Sequence, residues 1–237
     1  MSVHTTDHVS DPISDLAARP LAPPPAIGGA LERELAHLGK VGTRRPLRQL
    51  SILVVLSLVY AIGLVVVTAT RGDLHQLPMG WLVGAGAGWL FGFLVPSYLA
   101  LVPRAGSVTP RWQPAAVAAV IASIGFIILG LVIHPMGDNS LVYGWDRFGH
   151  GHTCLKFGLA TALVPVVVGA IFLRGVLPIG SRWIAAALGA GGGCLGGLVL
   201  HFHCRVADGL HVGLVHGGVV VIAALLSAAI VPRASSR

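Results

Sequence analysis

Six separate runs of this 237-residue chain are each long enough to cross a lipid bilayer. They lie near residues 50–69, 79–102, 114–134, 155–173, 183–201 and 211–231. A bilayer core takes about 20 apolar residues per helix. Lipid offers the backbone no hydrogen-bond partners, so each run must close its own hydrogen bonds as a helix. The expected fold is therefore all-α: a polytopic membrane protein built as a bundle of six transmembrane helices. Composition agrees, because 11% of residues are charged against roughly 25% in a soluble domain. Three domains are expected: a tail over residues 1–48, a transmembrane domain over 49–232, and a short end over 233–237.

Lys and Arg orient the bundle. Arg19, Arg33, Lys40, Arg44, Arg45 and Arg48 precede the first run. Arg104, Arg111, Arg174, Arg182, Arg233 and Arg237 join them on one side of a six-span arrangement. Only Arg71, Arg147, Lys156 and Arg205 fall on the other. Twelve against four places both termini in the cytoplasm. The net charge of +7 is thus a topology signal and argues for no direct nucleic-acid contact. Residues 1–27 carry Asp7, Asp11, Asp15 and the run "RPLAPPP", without the apolar core of a signal peptide.

With the spans oriented, the histidines segregate. His75, His134, His150, His152, His201, His203 and His211 all fall at the outer face, as do Cys154 and Cys204. Imidazole and thiolate are ligands of zinc and copper. On helices, His150 and Cys154 stand four apart and His201 and Cys204 three apart, so each pair can share a face. Convergence of the helix ends makes His150, His152, Cys154, His201, His203, Cys204 and His211 candidate ligands for a transition metal ion, copper or zinc. A Cys154–Cys204 disulfide is a rival state in an oxidising compartment. Ordinary interfacial placement of amphipathic side chains is the competing explanation. Cys194 lies about 15 Å deeper along its helix and reads as a packing residue.

Two spans carry glycines every fourth residue: Gly84, Gly88 and Gly92 in the second, Gly189, Gly193 and Gly197 in the fifth. Such faces let helix backbones approach closely. Packing inside the bundle is the expected use, with a homodimer contact as the lesser alternative. Pro96 and Pro165 fall inside spans, where they can kink them.

In the tail, Leu31, Leu35 and Leu38 recur at helical spacing within residues 28–39. Arg44 and Arg45 follow. This short amphipathic helix either lies on anionic lipid or docks a cytoplasmic partner. No acidic residue lies within a span, which argues against proton-coupled transport. Spans one, two and four offer almost no polar path for a metal transport or delivery subunit. A heme- or quinone-linked redox protein would need histidines facing one another on two spans, for which His134, His201, His211 and His216 are available. Most histidines instead gather at one surface. No catalytic apparatus is visible, so an enzyme is not expected.

These features resemble the NrsF-like (negative regulator of sigma F) membrane anti-sigma factors of bacteria. The resemblance rests on "LGKVGTRRPLRQL" before the first span, a cysteine at the outer start of the fourth, and a glycine-rich fifth span ending in "HFHC". It implies a multi-pass protein of the bacterial inner membrane whose N-terminal tail sequesters an extracytoplasmic-function (ECF) sigma factor. It also implies that Cys154 and Cys204 sense metal or oxidative stress and trigger release. Leu31, Leu35, Leu38, Arg44 and Arg45 are the corresponding candidates for partner binding.

Overall fold

A computed structural model of the chain describes residues 44–103, 106, 109–135, 145–174 and 181–235. The amphipathic segment 28–39, with Leu31, Leu35 and Leu38, lies outside the described residues. Six long helices occupy the rest: α1 (Pro46–Thr68), α2 (Met79–Leu101), α3 (Trp112–Val132), α4 (Trp145–Leu173), α5 (Ser181–His203) and α6 (Gly217–Ser235). A 3₁₀ turn, Leu74–Gln76, precedes α2, and a π-helical segment, His211–His216, leads into α6. All six spans are long and apolar enough to cross a membrane, so the chain is a multi-pass membrane protein.

Prolines mark several boundaries. Pro46 opens α1 just after Arg45, where a missing N–H does no harm. Pro78 stands immediately before α2. Pro96 and Pro165 lie inside α2 and α4 as expected, and both are buried against neighbouring helices. Pro232 lies inside α6, which continues to Ser235. The fourth helix begins ten residues before its apolar run, so Cys154 sits two to three turns into α4 and not at its start.

Helix α5 is the axis of the bundle and touches each of the other five spanning helices. Its span is 89% buried, against 17% for α1. Glycine makes this possible. A Cβ on Gly193 would stand 2.5 Å from Val220 Cα of α6, and one on Gly189 would strike Ala223 O. A Cβ on Gly192 would lie 3.0 Å from Ala162 O of α4, and one on Gly191 2.6 Å from Ser97 Oγ of α2. Gly197 lies under the Trp89 ring, which stacks on Phe126 of α3 at 4.0 Å. Three helices therefore approach α5 more closely than any side chain would allow. The second glycine stripe behaves differently. Gly92 faces Phe126 and Cys194, but Gly84 and Gly88 have nothing within 4 Å of an added Cβ. The expectation of close internal packing fails for those two, since no neighbouring helix comes within contact of them. Cys194 is fully buried in the core, as a packing residue should be.

Candidate functional site: a thiol and imidazole cluster at one end of the bundle

The end of α5, the start of the last span and the early turns of α4 meet at one end of the bundle. Helix α5 stops at His203, and the chain runs without regular structure from Cys204 to Asp208. Asp208 then restarts the helix. Its Oδ1 accepts the His211 N–H at 2.8 Å, three residues on, which is the N-cap arrangement. The cap fixes His211 in the first turn, and that turn returns the imidazole to Cys204.

The result is a tight cluster. Cys204 Sγ lies 3.6 Å from Cys154 Sγ and 3.4 Å from His211 Nε2. One donor atom from each of Cys154, Cys204 and His211 falls within 4.8 Å of the others. Cys204 and His211 are buried, while Cys154 is half-buried. The Cys204 thiol is pushed above the ordinary thiol range, first by its hydrogen bond to the Cys154 sulfur and then by burial. Both effects favour the protonated form of Cys204. Both cysteines are free thiols.

The donor set suits a metal ion. With Zn–S near 2.3 Å and Zn–N near 2.0–2.1 Å, two donors on one tetrahedral ion stand about 3.8 Å apart for S···S and about 3.6 Å for S···N. The Cys154–Cys204 and Cys204–His211 separations each differ from these by about two tenths of an ångström. Among the described residues, buried polar atoms without a hydrogen-bond partner include Asp208 Oδ2 and His216 Nε2, both from the segment that carries His211. An unpaired buried carboxylate oxygen beside the cluster is a place where positive charge is favourable.

The other candidate ligands are engaged elsewhere or turned away. Leu82 O can only accept, so the buried His201 donates Nε2–H to it at 2.9 Å, and its ring packs on Trp81 at 4.6 Å. His201 therefore fastens α5 to α2, and it does not share a face with Cys204 as the three-residue spacing suggested. His203 donates Nδ1–H to Ala69 O at 3.0 Å and lies 3.2 Å from Thr68 Oγ1, tying α5 to the end of α1. His152 is exposed beside Thr153. His150 lies in α4, but its side chain is outside the described residues. Arg45 is the residue just before α1.

Sequence reasoning treated Arg71 as a loop charge, yet it is buried. Its guanidinium holds Asp73 through two hydrogen bonds of 2.7 and 2.8 Å and donates to Arg205 O at 3.1 Å. Its backbone N–H bonds Phe202 O at 2.9 Å. Helix C-termini leave carbonyls unsatisfied, and Arg71 answers those at the end of α5. The same contact holds the Asp73 carboxyl below the usual carboxylate range. The chain between α1 and α2 is thereby stitched to the residues flanking Cys204. Ala69, at φ 67° and ψ 147°, adopts a conformation that is otherwise nearly glycine's alone. The His203 bond to its carbonyl holds it there.

Fold and site together define a class: a helical membrane protein with a thiol–imidazole cluster at one end of its bundle. Residues 35–235 match the family described as Negative regulator of sigma F, NrsF. The chain belongs to that family of anti-sigma regulators, and the resemblance read from its motifs holds across most of its length. No curated protein and no solved structure matches it.

Proposed function

We propose that this chain is a membrane-bound anti-sigma factor that holds an ECF-type sigma factor through its N-terminal tail and releases it when the cysteine end is occupied or oxidised. The observation that carries the reading is the convergence of Cys154, Cys204 and His211 within 4.8 Å. Family membership supplies the sigma factor. The charge asymmetry of the loops supports a bacterial inner-membrane protein with both termini cytoplasmic and the cluster outside. Leu31, Leu35, Leu38, Arg44 and Arg45 are the proposed docking residues.

A bound copper or zinc ion would be held by two thiolates and one imidazole and would act here as a structural cross-link between helices. Both thiols must give up their protons to bind it. Two fastenings carry a change at Cys204 toward the tail. Arg71 and His203 pin the far end of α1 to the residues on either side of Cys204. The near end of α1 begins at Pro46, directly after the tail. A shift of the α5 terminus is therefore transmitted to α1, whose thin buried face of Leu53, Ser57 and Ala61 leaves it the least anchored helix.

Thiol oxidation is a second reading, favoured by the 3.6 Å sulfur separation. Closing a disulfide needs an approach of about 1.5 Å to reach an S–S bond near 2.05 Å. Two thiols would lose two protons and two electrons to an external oxidant. Co-purification with an ECF-type sigma factor co-expressed with this chain tests the docking claim. Deleting residues 1–39 should abolish the complex, and retention by the truncated chain would remove the tail from the mechanism. Metal content of Cys154→Ser and Cys204→Ser tests the site.

A further inference from the structure

The three-donor cluster uses only the first residue of the π-helical segment His211–His216. An i→i+5 ladder is uncommon and gathers at functional sites, so its placement directly after Cys204 and Asp208 calls for a reason. Its two ends are both histidine. In an α-helix, residues five apart point about 140° from one another. An i→i+5 ladder of about 4.4 residues per turn brings them to within roughly 50°. The widened turn therefore carries His216 round to the face that His211 occupies. Their rings meet edge-on at 5.1 Å. His216 is buried, and its Nε2 has no hydrogen-bond partner.

We propose that His216 is the fourth donor of the cysteine-end site and that the π segment exists to supply it. This rests on the reading of Cys154, Cys204 and His211 as metal ligands. Two imidazoles bound to one tetrahedral ion through bonds near 2.0–2.1 Å have ring centroids about 5 Å apart. The His211–His216 pair already has that spacing. As it stands His216 is outside the group of Cys154, Cys204 and His211, and a turn of its ring toward the sulfurs would be needed to close a Cys₂His₂ cage. Such a cage selects a borderline-soft divalent ion of the zinc class, which favours four tetrahedral donors. Without His216, the two sulfurs and one imidazole left in place would suit soft monovalent copper equally well. On binding, the ion gains two thiolates and two neutral imidazoles, and two thiol protons leave to solvent. The orphaned nitrogen loses its desolvation penalty in the same step.

Cobalt(II) is the probe, added to the full-length protein in lipid nanodiscs. The wild type should show thiolate charge-transfer absorption together with the intense visible bands of a tetrahedral site. His216→Gln should keep the charge-transfer absorption, lose visible intensity and bind cobalt at least tenfold more weakly. X-ray absorption on the zinc-loaded wild type gives a second readout that needs no variant, with two sulfurs and two imidazoles expected. Equal spectra and affinity for wild type and His216→Gln, or one imidazole per zinc, overturn the role of His216 while leaving the three-donor site intact. No thiolate absorption in the wild type overturns the metal reading itself, and this inference with it.

Discussion

Ion binding at Cys204 should depend steeply on pH, in a direction fixed by the site. A metal ion binds the thiolate, and the Cys204 thiol is held above its ordinary range by the bond to Cys154 and by burial. Between about pH 6 and 8 that group therefore stays protonated. Each ion bound there displaces one whole proton. By mass action the apparent dissociation constant falls tenfold for each pH unit gained, or about 1.4 kcal/mol per unit, from Cys204 alone. Any further thiol that ionises on binding adds up to the same again. Competition against a chromophoric zinc chelator, repeated across this range with protein in nanodiscs, measures the slope. The expected wild-type slope of log affinity against pH is at least one. Cys204→Ser should lower it by about one or eliminate measurable binding. A pH-independent wild-type affinity would refute displacement of the Cys204 proton, as would a slope that Cys204→Ser leaves unchanged.

Other expectations concern the scaffold that positions the cluster. Gly193→Ala places a methyl group 2.5 Å from Val220 Cα and should destabilise the bundle by about 1–3 kcal/mol, whereas Gly84→Ala meets open space and should be neutral or stabilising by up to about 1 kcal/mol. Thermal unfolding in detergent distinguishes the two, and equal midpoints would contradict α5 as the packing axis. Arg71→Met keeps the bulk but leaves Asp73 and Arg205 O without their donor. Amide exchange at residues 69–73 and 202–205 should accelerate, and unchanged protection would dissolve the proposed link between α1 and Cys204. Because the folded Asp73 carboxyl is depressed, its contribution is present above the unfolded carboxylate value and lost as pH falls through the folded one. Asp73→Asn should remove that acid-side loss from a pH series of unfolding midpoints.

The six helices were legible because lipid leaves a long apolar run one structure to adopt. Their ends came within a few residues, except at α4, where helix continues past the apolar stretch toward Trp145. The pairing of Cys154 with Cys204 was legible as well, since two adjacent antiparallel spans carry them at one end. His211 was among the candidate ligands, but its partnership with Cys204 was not visible, because it depends on the break at 204–208 and on capping by Asp208. An Asp three residues before a histidine at the head of an apolar run is a usable signal for such a cap. His201 misled through spacing: three residues on a helix defines a face but not which neighbour lies against it. The glycine stripes make the same point. Gly84 and Gly88 repeat like Gly189 and Gly193, yet only the second pair meets a helix. Arg71 was hidden because a burial site built from another helix's terminal carbonyls leaves no local trace.

Release of the sigma factor is the claim on which the account turns. The complex of full-length protein with its sigma factor, reconstituted in nanodiscs and immobilised through the membrane protein, can be exposed in turn to zinc, to copper and to a thiol oxidant. The account predicts that at least one of these frees the sigma factor from the wild type and frees none from the Cys154→Ser, Cys204→Ser double variant. Sigma factor that stays bound to the wild type under all three, or that leaves both proteins equally, would contradict it.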